Sequence, residues 1–360
     1  MKILSGQILI VPIFLLVLSC NSHSDIDPTG TPADGSKGYT QDAVWDLRAE
    51  LSARNPRDES YYLEFAMLNS GRLLVGGNAF WETHLLELDW QDGSVLHNER
   101  LTYEFHDFWK RSDGQVVMDY SGTSKVMYNE QTHTIDDVKK LPASQAQLDK
   151  LYTHMIGIEQ VKGPYLMRTN MNDEVVWKTY TEEDNIDAYP PNNYYLVGDH
   201  MWFIGAQDGH IDWSDERWKL GKIRAAGELA FLKQITIKQG APTIYKEDPA
   251  GNLFLTSLPN ALWKFDSDGN QLWQTTVSDG IQGKVQTAMV ATRDGGVVMA
   301  TGQGTTADVT MFKYDASGKL VWKEKYYERT GMLDKLYELP NGDLLATSAT
   351  GFVVKYKLNK

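Results

Sequence analysis

The stretch "ALWKFDSDGNQLWQTTV" (residues 261–277) has the pattern of two short β-strands joined by a tight turn. Apolar and polar residues alternate on both sides of the turn, which is typical of half-buried strands. Gly269 supplies the positive φ that such a hairpin turn requires, and Trp273 follows it by four residues. In "TMFKYDASGKLVWKEKYY" (310–327), Trp322 likewise follows Gly318 by four residues. The hairpin is therefore one unit of a repeat.

Two series of positions extend this repeat along the chain. The first consists of predicted turn glycines, namely Gly71, Gly114, Gly157, Gly198, Gly251, Gly295 and Gly342. The second consists of tryptophans and their substitutes in a last strand, namely Trp45, His97, a degraded copy near Asp137, Trp177, Phe231, Trp273 and Trp322. The mean step is about 46 residues, close to the period of a four-stranded propeller blade. The sequence therefore predicts an all-β, seven-bladed β-propeller.

The two series are out of phase at the ends of the chain. Two strands follow Gly342 before the chain stops, whereas "DAVWDLRAEL" (42–51) is a last strand with no unit before it. We therefore expect the strand over residues 43–51 to complete the C-terminal blade by pairing with Val353, Val354 and Tyr356. Such a closed ring leaves no strand ladder open for aggregation.

The two quoted hairpins resemble the quinoprotein-type (PQQ-like) propeller repeat, a relative of WD-like repeats. The resemblance is sharp over residues 243–360 and fainter over 60–240. It implies the propeller fold, with Trp45, Trp177, Trp273 and Trp322 packed between blades. The lipid-anchored propeller subunit of the outer-membrane barrel-assembly machine has a similar length and usually eight blades, so an eight-bladed ring stays the alternative. Enzymes of this family commonly hold their quinone cofactor with calcium ligands and a vicinal disulfide. Because Cys20 alone cannot form that disulfide and no matching ligand set occurs, we predict no cofactor.

The N-terminus predicts export and lipid anchoring. Residues 8–18 form an apolar run too short to span a bilayer, and "VLSC" (17–20) resembles a bacterial lipobox with Cys20 as the lipidated residue. The acidic "SDID" that follows resembles export signals of surface lipoproteins in the Bacteroidetes group. The predicted division is a signal peptide over 1–19, lipidated Cys20 with a flexible tether over 20–39, and a propeller over 40–360. The predicted location is the bacterial outer membrane, on its periplasmic or outer side.

Composition excludes several kinds of site. Cys20 is the only cysteine, so disulfides within the chain, cysteine-rich zinc sites and thiol catalysis are excluded. The formal net charge of −13 argues against nucleic acid as a partner and leaves the lipid as the predicted membrane contact. Asp266 and Asp268 lack the further ligands of a calcium loop and are explained by a hairpin turn, so no metal site is predicted.

The longest step of the tryptophan series, from Trp177 to Phe231, contains two apparent loop insertions, over residues 180–195 and 206–219. Loops on a rigid scaffold are common places for binding residues, and aromatic rings beside carboxylates suit sugars or peptide side chains. The predicted ligand-binding residues are Tyr189, Tyr194, Asp208, His210, Asp212, Trp213, Asp215 and Trp218. Packing of these side chains on their own blade is the alternative.

These observations favour a non-catalytic, lipid-anchored envelope propeller whose partner is a glycan or an envelope protein. Two alternatives stay open. One is a carbohydrate-active hydrolase or lyase, because carboxylates contributed by different blades escape motif searches. The other is a scaffold subunit of an outer-membrane assembly complex.

Overall fold

The computed structural model describes residues 38–51, 62–79, 82–101, 105–110, 115–120, 124–137, 153–159, 163–169, 175–180, 193–197, 200–206, 217–237, 242–257, 261–277, 285–302, 308–327, 332–348 and 350–359. Cys20, the predicted signal peptide and nearly all of the tether lie outside these ranges. No helix in the described ranges is long and apolar enough to cross a membrane.

The described residues form seven antiparallel sheets, which are the blades. Blade 1 contains β2 (Tyr62–Met67), β3 (Leu73–Ala79), β4 (Glu82–Leu88) and β5 (Val95–Leu101). Blade 2 contains β6 (Phe105–Lys110), β7 (Val116–Tyr120), β8 (Ser124–Asn129) and β9 (Thr134–Asp137). Blade 3 contains β10 (Thr153–Glu159), β11 (Gly163–Thr169) and β12 (Val175–Tyr180). Blade 4 contains β13 (Asn193–Val197), β14 (His200–Ala206), β15 (Arg217–Ile223) and β16 (Leu229–Thr236).

The remaining blades follow the same order. Blade 5 contains β17 (Pro242–Glu247), β18 (Leu253–Ser257), β19 (Ala261–Phe265) and β20 (Gln271–Thr276). Blade 6 contains β21 (Val285–Ala291), β22 (Val297–Gly302), β23 (Asp308–Tyr314) and β24 (Leu320–Tyr327). Blade 7 contains β25 (Leu333–Glu338), β26 (Leu344–Ser348), β27 (Phe352–Leu358) and β1 (Tyr39–Asp46). The fold is a seven-bladed β-propeller, as predicted.

The N-terminal strand closes the ring. In blade 7, β1 pairs with β27 so that Trp45 lies opposite Val353 and Val44 opposite Val354. The predicted closure is therefore confirmed. The strand is shorter than predicted, because it ends at Asp46 and the chain then forms the helical turn α1 (Arg48–Leu51). The Asp46 carboxylate accepts a hydrogen bond from the Arg48 backbone N–H at 3.1 Å, which favours this helix start.

Aromatic rings join successive blades. In each case the ring of one blade lies so close to a glycine of the next that a β-carbon there would collide with it. The pairs are Trp45 with Gly93, Trp177 with Gly227, Phe231 with Gly269, Trp273 with Gly318 and Trp322 with Gly38. Trp45, Trp177 and Trp322 are buried, which confirms their predicted role in packing.

The glycine series is confirmed in part. Gly71, Gly251, Gly295 and Gly342 have positive φ and lie in turns, as predicted. Gly157 does not, because it lies inside β10 and pairs with Tyr165. Its place in the series rested on spacing alone, and the strand hydrogen bonds override that spacing. Gly114 and Gly198 lie outside the described residues.

Candidate functional site

The strand order gives the propeller two different faces. On one face, which we call the turn face, short turns join the first strand of a blade to the second and the third strand to the fourth. The opposite face, which we call the connection face, is where the innermost strands begin and where the chain passes from blade to blade. Both loop insertions predicted from the sequence leave strands at the connection face, between β12 and β13 and between β14 and β15.

The innermost strands are irregular close to the connection face. The pairing register shifts by one residue in blades 5, 6 and 7, which places Thr243, Thr287 and Asp334 in β-bulges. An equivalent shift occurs in β6 of blade 2, between Phe105 and Asp107. Bulges bend a strand and redirect side chains, and they are common beside binding sites.

Polar and charged residues collect beside these bulges. We call the set Glu64, Gln286, Thr287, Asp334, Lys335 and Thr347 the polar collar. Its members lie on β2, β21, β25 and β26, near the ends that reach the connection face. The strands around them are otherwise filled by apolar side chains such as Leu336 and Ala346.

An ion pair links the last blade to the first within this collar. Lys335 Nζ of blade 7 lies 2.6 Å from Glu64 Oε1 of blade 1, and the Glu64 residue is only 9% exposed. The Lys335 side chain is 38% exposed, so the ammonium group stays partly in water while it compensates the buried Glu64 side chain. The ion pair therefore connects the innermost strands of blades 7 and 1.

Asp334 is a half-buried carboxyl beside that pair. Burial raises the pKa of Asp334 to about 6, Lys335 opposes this rise, and the negative charge of Glu64 adds to it. Asp334 thus lies in surroundings that favour its protonated form, whereas the Glu64 side chain is ion-paired with Lys335.

Several polar atoms of the collar have no hydrogen-bond partner, although they are buried. Within the part of the chain that the structure describes, these are Nε2 and Oε1 of Gln286 and the hydroxyls of Thr287 and Thr347. In blade 5 the residues equivalent to Thr287 and Thr347 are Thr243 and Thr256, and their hydroxyls lie 3.0 Å apart and hydrogen-bond to each other. Leaving such atoms unpaired costs about 1–3 kcal/mol each. These atoms can each accept or donate a further hydrogen bond, to a buried water or to another group.

The structure describes two of the ligand-binding residues predicted from the sequence, and both lie on strands rather than in loops. Trp218 lies on β15 opposite Ile235, is only 4% exposed, and packs in an apolar cluster with Trp202, Leu255 and Trp263. It is a core residue, because the strand begins at Arg217 and directs this ring between blades 4 and 5. Tyr194 lies on the innermost strand β13, opposite Phe203, and not in a loop.

The other predicted ligand-binding residues, Tyr189, Asp208, His210, Asp212, Trp213 and Asp215, lie outside the described residues. Within the described ranges, no group of three histidine, cysteine or acidic residues is arranged to hold a metal ion.

The comparisons with known proteins support the fold. No protein-family model matches the chain, and no curated protein sequence matches it. Solved structures do match. The structure of BBS1N in complex with ARL6DN aligns at TM-score 0.55 and 13% identity, over 91% of this chain and 98% of that one. Streptogramin B lyase aligns at TM-score 0.55 and 12% identity, over 88% and 98%. Raptor from Chaetomium thermophilum aligns at TM-score 0.58 and 9% identity, over 90% of this chain and 30% of that one. These proteins share the propeller fold.

Proposed function

We propose that this protein is a lipid-anchored propeller of the bacterial cell envelope that binds a protein partner through its connection face and catalyses no reaction. The observation that carries the proposal is the polar collar, where buried hydrogen-bonding atoms lie without partners beside a charged pair. A binding surface needs a few well-placed polar groups on a rigid frame, and the innermost strands supply both.

Two further points support a macromolecular partner. The described strands on either side of residues 181–192 and 207–216 have their ends at this face, and aromatic residues such as Tyr189 and Trp213 in those segments would suit a macromolecular partner. The BBS1N structure, a propeller of similar extent, was solved with ARL6DN bound. A glycan is the other partner that the aromatic residues would suit.

Anchoring through Cys20 is part of the proposal and has its own test. Mass spectrometry of the mature protein should find an N-terminal peptide that begins at Cys20 and carries acyl chains. A mature chain that begins after residue 20 would show that the lipid anchor is absent while leaving partner binding open.

Site-specific photocrosslinking tests the binding face. Benzoylphenylalanine at Thr243, an exposed bulge residue of the connection face, should form a discrete crosslinked product in the envelope. The same probe at Ser317, exposed in a turn of the opposite face, is the matched control and should not. Equal products from both positions would contradict the proposed face. A glycan array probed with the full chain determines whether the partner is a glycan.

A hydrolase or lyase is the second candidate, and the carboxyl pair of the collar favours it. Glycosidases use a pair of carboxyl groups, one of which has a raised pKa. Burial raises the pKa of Asp334, and the Glu64 carboxyl group lies close enough to add to that rise. Turnover of a polysaccharide panel that is lost in both Asp334→Asn and Glu64→Gln would establish it. No observed contact distinguishes an assembly scaffold from other protein-binding propellers, so that alternative stays a prediction.

A further inference from the structure

Gln286 departs from a pattern that three other blades share. In blades 5 and 7 the pair directly before the bulge places Pro242 opposite Ser257 and Leu333 opposite Ser348. Blade 1 has no bulge in this strand and places Leu63 opposite Gly77 near the start of β2. Blade 6 places Gln286 opposite Thr301 in the pair directly before its bulge. Leu63, Pro242 and Leu333 are buried apolar residues, so the fold itself has no need of an amide here.

The amide is both buried and unsatisfied. Gln286 is only 6% exposed, and neither its Nε2 nor its Oε1 has a hydrogen-bond partner within the described chain. The hydroxyl of the adjacent bulge residue Thr287 is in the same condition. A carboxamide offers two donors and an acceptor in one plane, so burying it without partners is among the more costly arrangements available to a neutral side chain. Such a cost is commonly retained where activity depends on it.

We propose that Gln286, assisted by Thr287, binds a peptide-type amide of the partner. This inference rests on the proposed function and specifies its ligand chemistry. A main-chain peptide group, or the side chain of an asparagine or glutamine, presents a donor and an acceptor in one plane and can satisfy both ends of the Gln286 amide. A carboxylate or phosphate would leave Oε1 unpaired, because it offers acceptors only. An ammonium group would leave Nε2 unpaired, because it offers donors only.

The position of the residue is compatible with this role. Gln286 is the second residue of β21, so it lies where the innermost strand begins, at the connection face. The bulge at Thr287 interrupts the regular pairing immediately after it. A segment of a partner that reaches the connection face at the start of β21 would approach these two residues, and Asp334 lies near the same end of β25.

The test combines stability with binding. The full chain is used to select peptides from a phage-displayed linear library, and the selected peptides are then titrated against Gln286→Leu. The variant carries the residue that blades 1 and 7 use at this position, so its melting temperature should stay the same or rise by on the order of 2–4 °C. Its affinity for the selected peptides should fall at least tenfold. Gln274→Leu, which makes the same change at an exposed outer-strand position, is the control and should bind peptides like the wild type.

Three results would overturn the inference. A lower melting temperature of Gln286→Leu would show that the amide is structural, with buried water as its partner. Unchanged peptide affinity would place the ligand elsewhere on the face. Glycan-array binding that Gln286→Leu abolishes would identify a sugar as the ligand. Failure of the proposed function is separate, because it would appear as the absence of any crosslink from Thr243.

Discussion

The imidazole rings of His97 and His133 stack with their centroids 4.9 Å apart and their planes 30° apart. This contact joins blades 1 and 2, at the place where other blades pack an aromatic ring against a glycine. His133 occupies the turn position that is Gly269 or Gly318 elsewhere, and it keeps the positive φ, at 57°. Both partners of the usual contact have thus been replaced together.

A double replacement at this junction should restore the contact used by the other blades. His97→Trp alone should destabilise the protein, because the larger ring has no room beside the His133 side chain. His133→Gly alone relieves a left-handed conformation but leaves a gap and removes the 2.9 Å contact of Nδ1 with buried Glu87. The double variant should be more stable than the sum of the two single effects predicts, by about 0.5–3 kcal/mol. Urea denaturation of all four proteins measures this coupling, and additive effects would show that the two positions are independent.

The glycine at a docking position should tolerate alanine worse than a glycine of equal backbone geometry. Gly318 and Gly71 both have positive φ, at 84° and 82°. A β-carbon at Gly318 would lie 2.6 Å from the Trp273 ring, whereas at Gly71 it would meet nothing within 4 Å. Gly71→Ala should therefore cost about 1–2 kcal/mol for the backbone alone. Gly318→Ala should cost about 1–3 kcal/mol more, because it also overpacks the contact. Equal melting temperatures for the two variants would refute the docking role.

Ring closure should depend on the buried side of β1. Trp45 is 8% exposed and packs against Gly93 of blade 1, whereas its neighbour Val44 is 44% exposed. We expect Trp45→Ala to lower the free energy of unfolding by about 3–5 kcal/mol. Val44→Ala, on the opposite side of the same strand, should change it by less than about 0.5 kcal/mol. Chemical denaturation compares them, and similar losses would mean that the strand contributes only its backbone pairing.

The Asp334 carboxyl should make the protein less stable as the pH rises. Its pKa is raised to about 6 in the folded chain, so the folded state binds the proton more tightly than the unfolded state. Its stabilising effect is complete below about pH 4 and is lost as the pH rises to about 6. Asp334→Asn should therefore stabilise the protein at pH 8, by on the order of 1–2 kcal/mol once solvent screening is allowed for, and should have little effect at pH 4.

Asp46 provides the control of opposite sign. A hydrogen bond from Arg48 lowers the pKa of Asp46, so its contribution is present at neutral pH and is lost as the pH falls through the acid range. Asp46→Asn should destabilise at pH 8 and lose this effect in acid. Thermal melts of both variants across pH 4–8 test the two signs, and parallel curves for Asp334→Asn and the wild type would contradict the raised pKa.

The sequence predicts the architecture well because the repeat couples two local signals. A glycine is required in the tight turn, and a large ring is required on the following strand, so Gly269 with Trp273 and Gly318 with Trp322 determine the blade without knowledge of distant contacts. The strand containing Trp45 could then be assigned to the C-terminal blade, because no repeat unit precedes it and that blade lacks a fourth strand. Spacing without such chemistry was misleading at Gly157, which lies within a strand.

The candidate site could not be predicted in the same way. Trp218 is aromatic and lies among polar residues in the sequence, and only the pairing of β15 with β16 shows that its ring points inward. Gln286 is one of many polar residues before an apolar run. Its significance depends on its register with Thr301 and on the comparison with Leu63 and Leu333, which requires the paired sheets.

The pairing of β1 with β27 also determines the order in which the fold can be completed. The strand β1 precedes the other described strands in the chain and pairs with β27, which follows them, and the hydrogen-bonded side chains of Thr40 and Asn359 are 319 positions apart. Blades 1 to 6 can each assemble from strands that are neighbours in the chain, whereas blade 7 needs β1 to meet β27. Joining residues this distant carries the largest loop-closure entropy in the molecule and slows the final step. Until that step the propeller is an open arc, with the edge of β27 available to any strand that meets it.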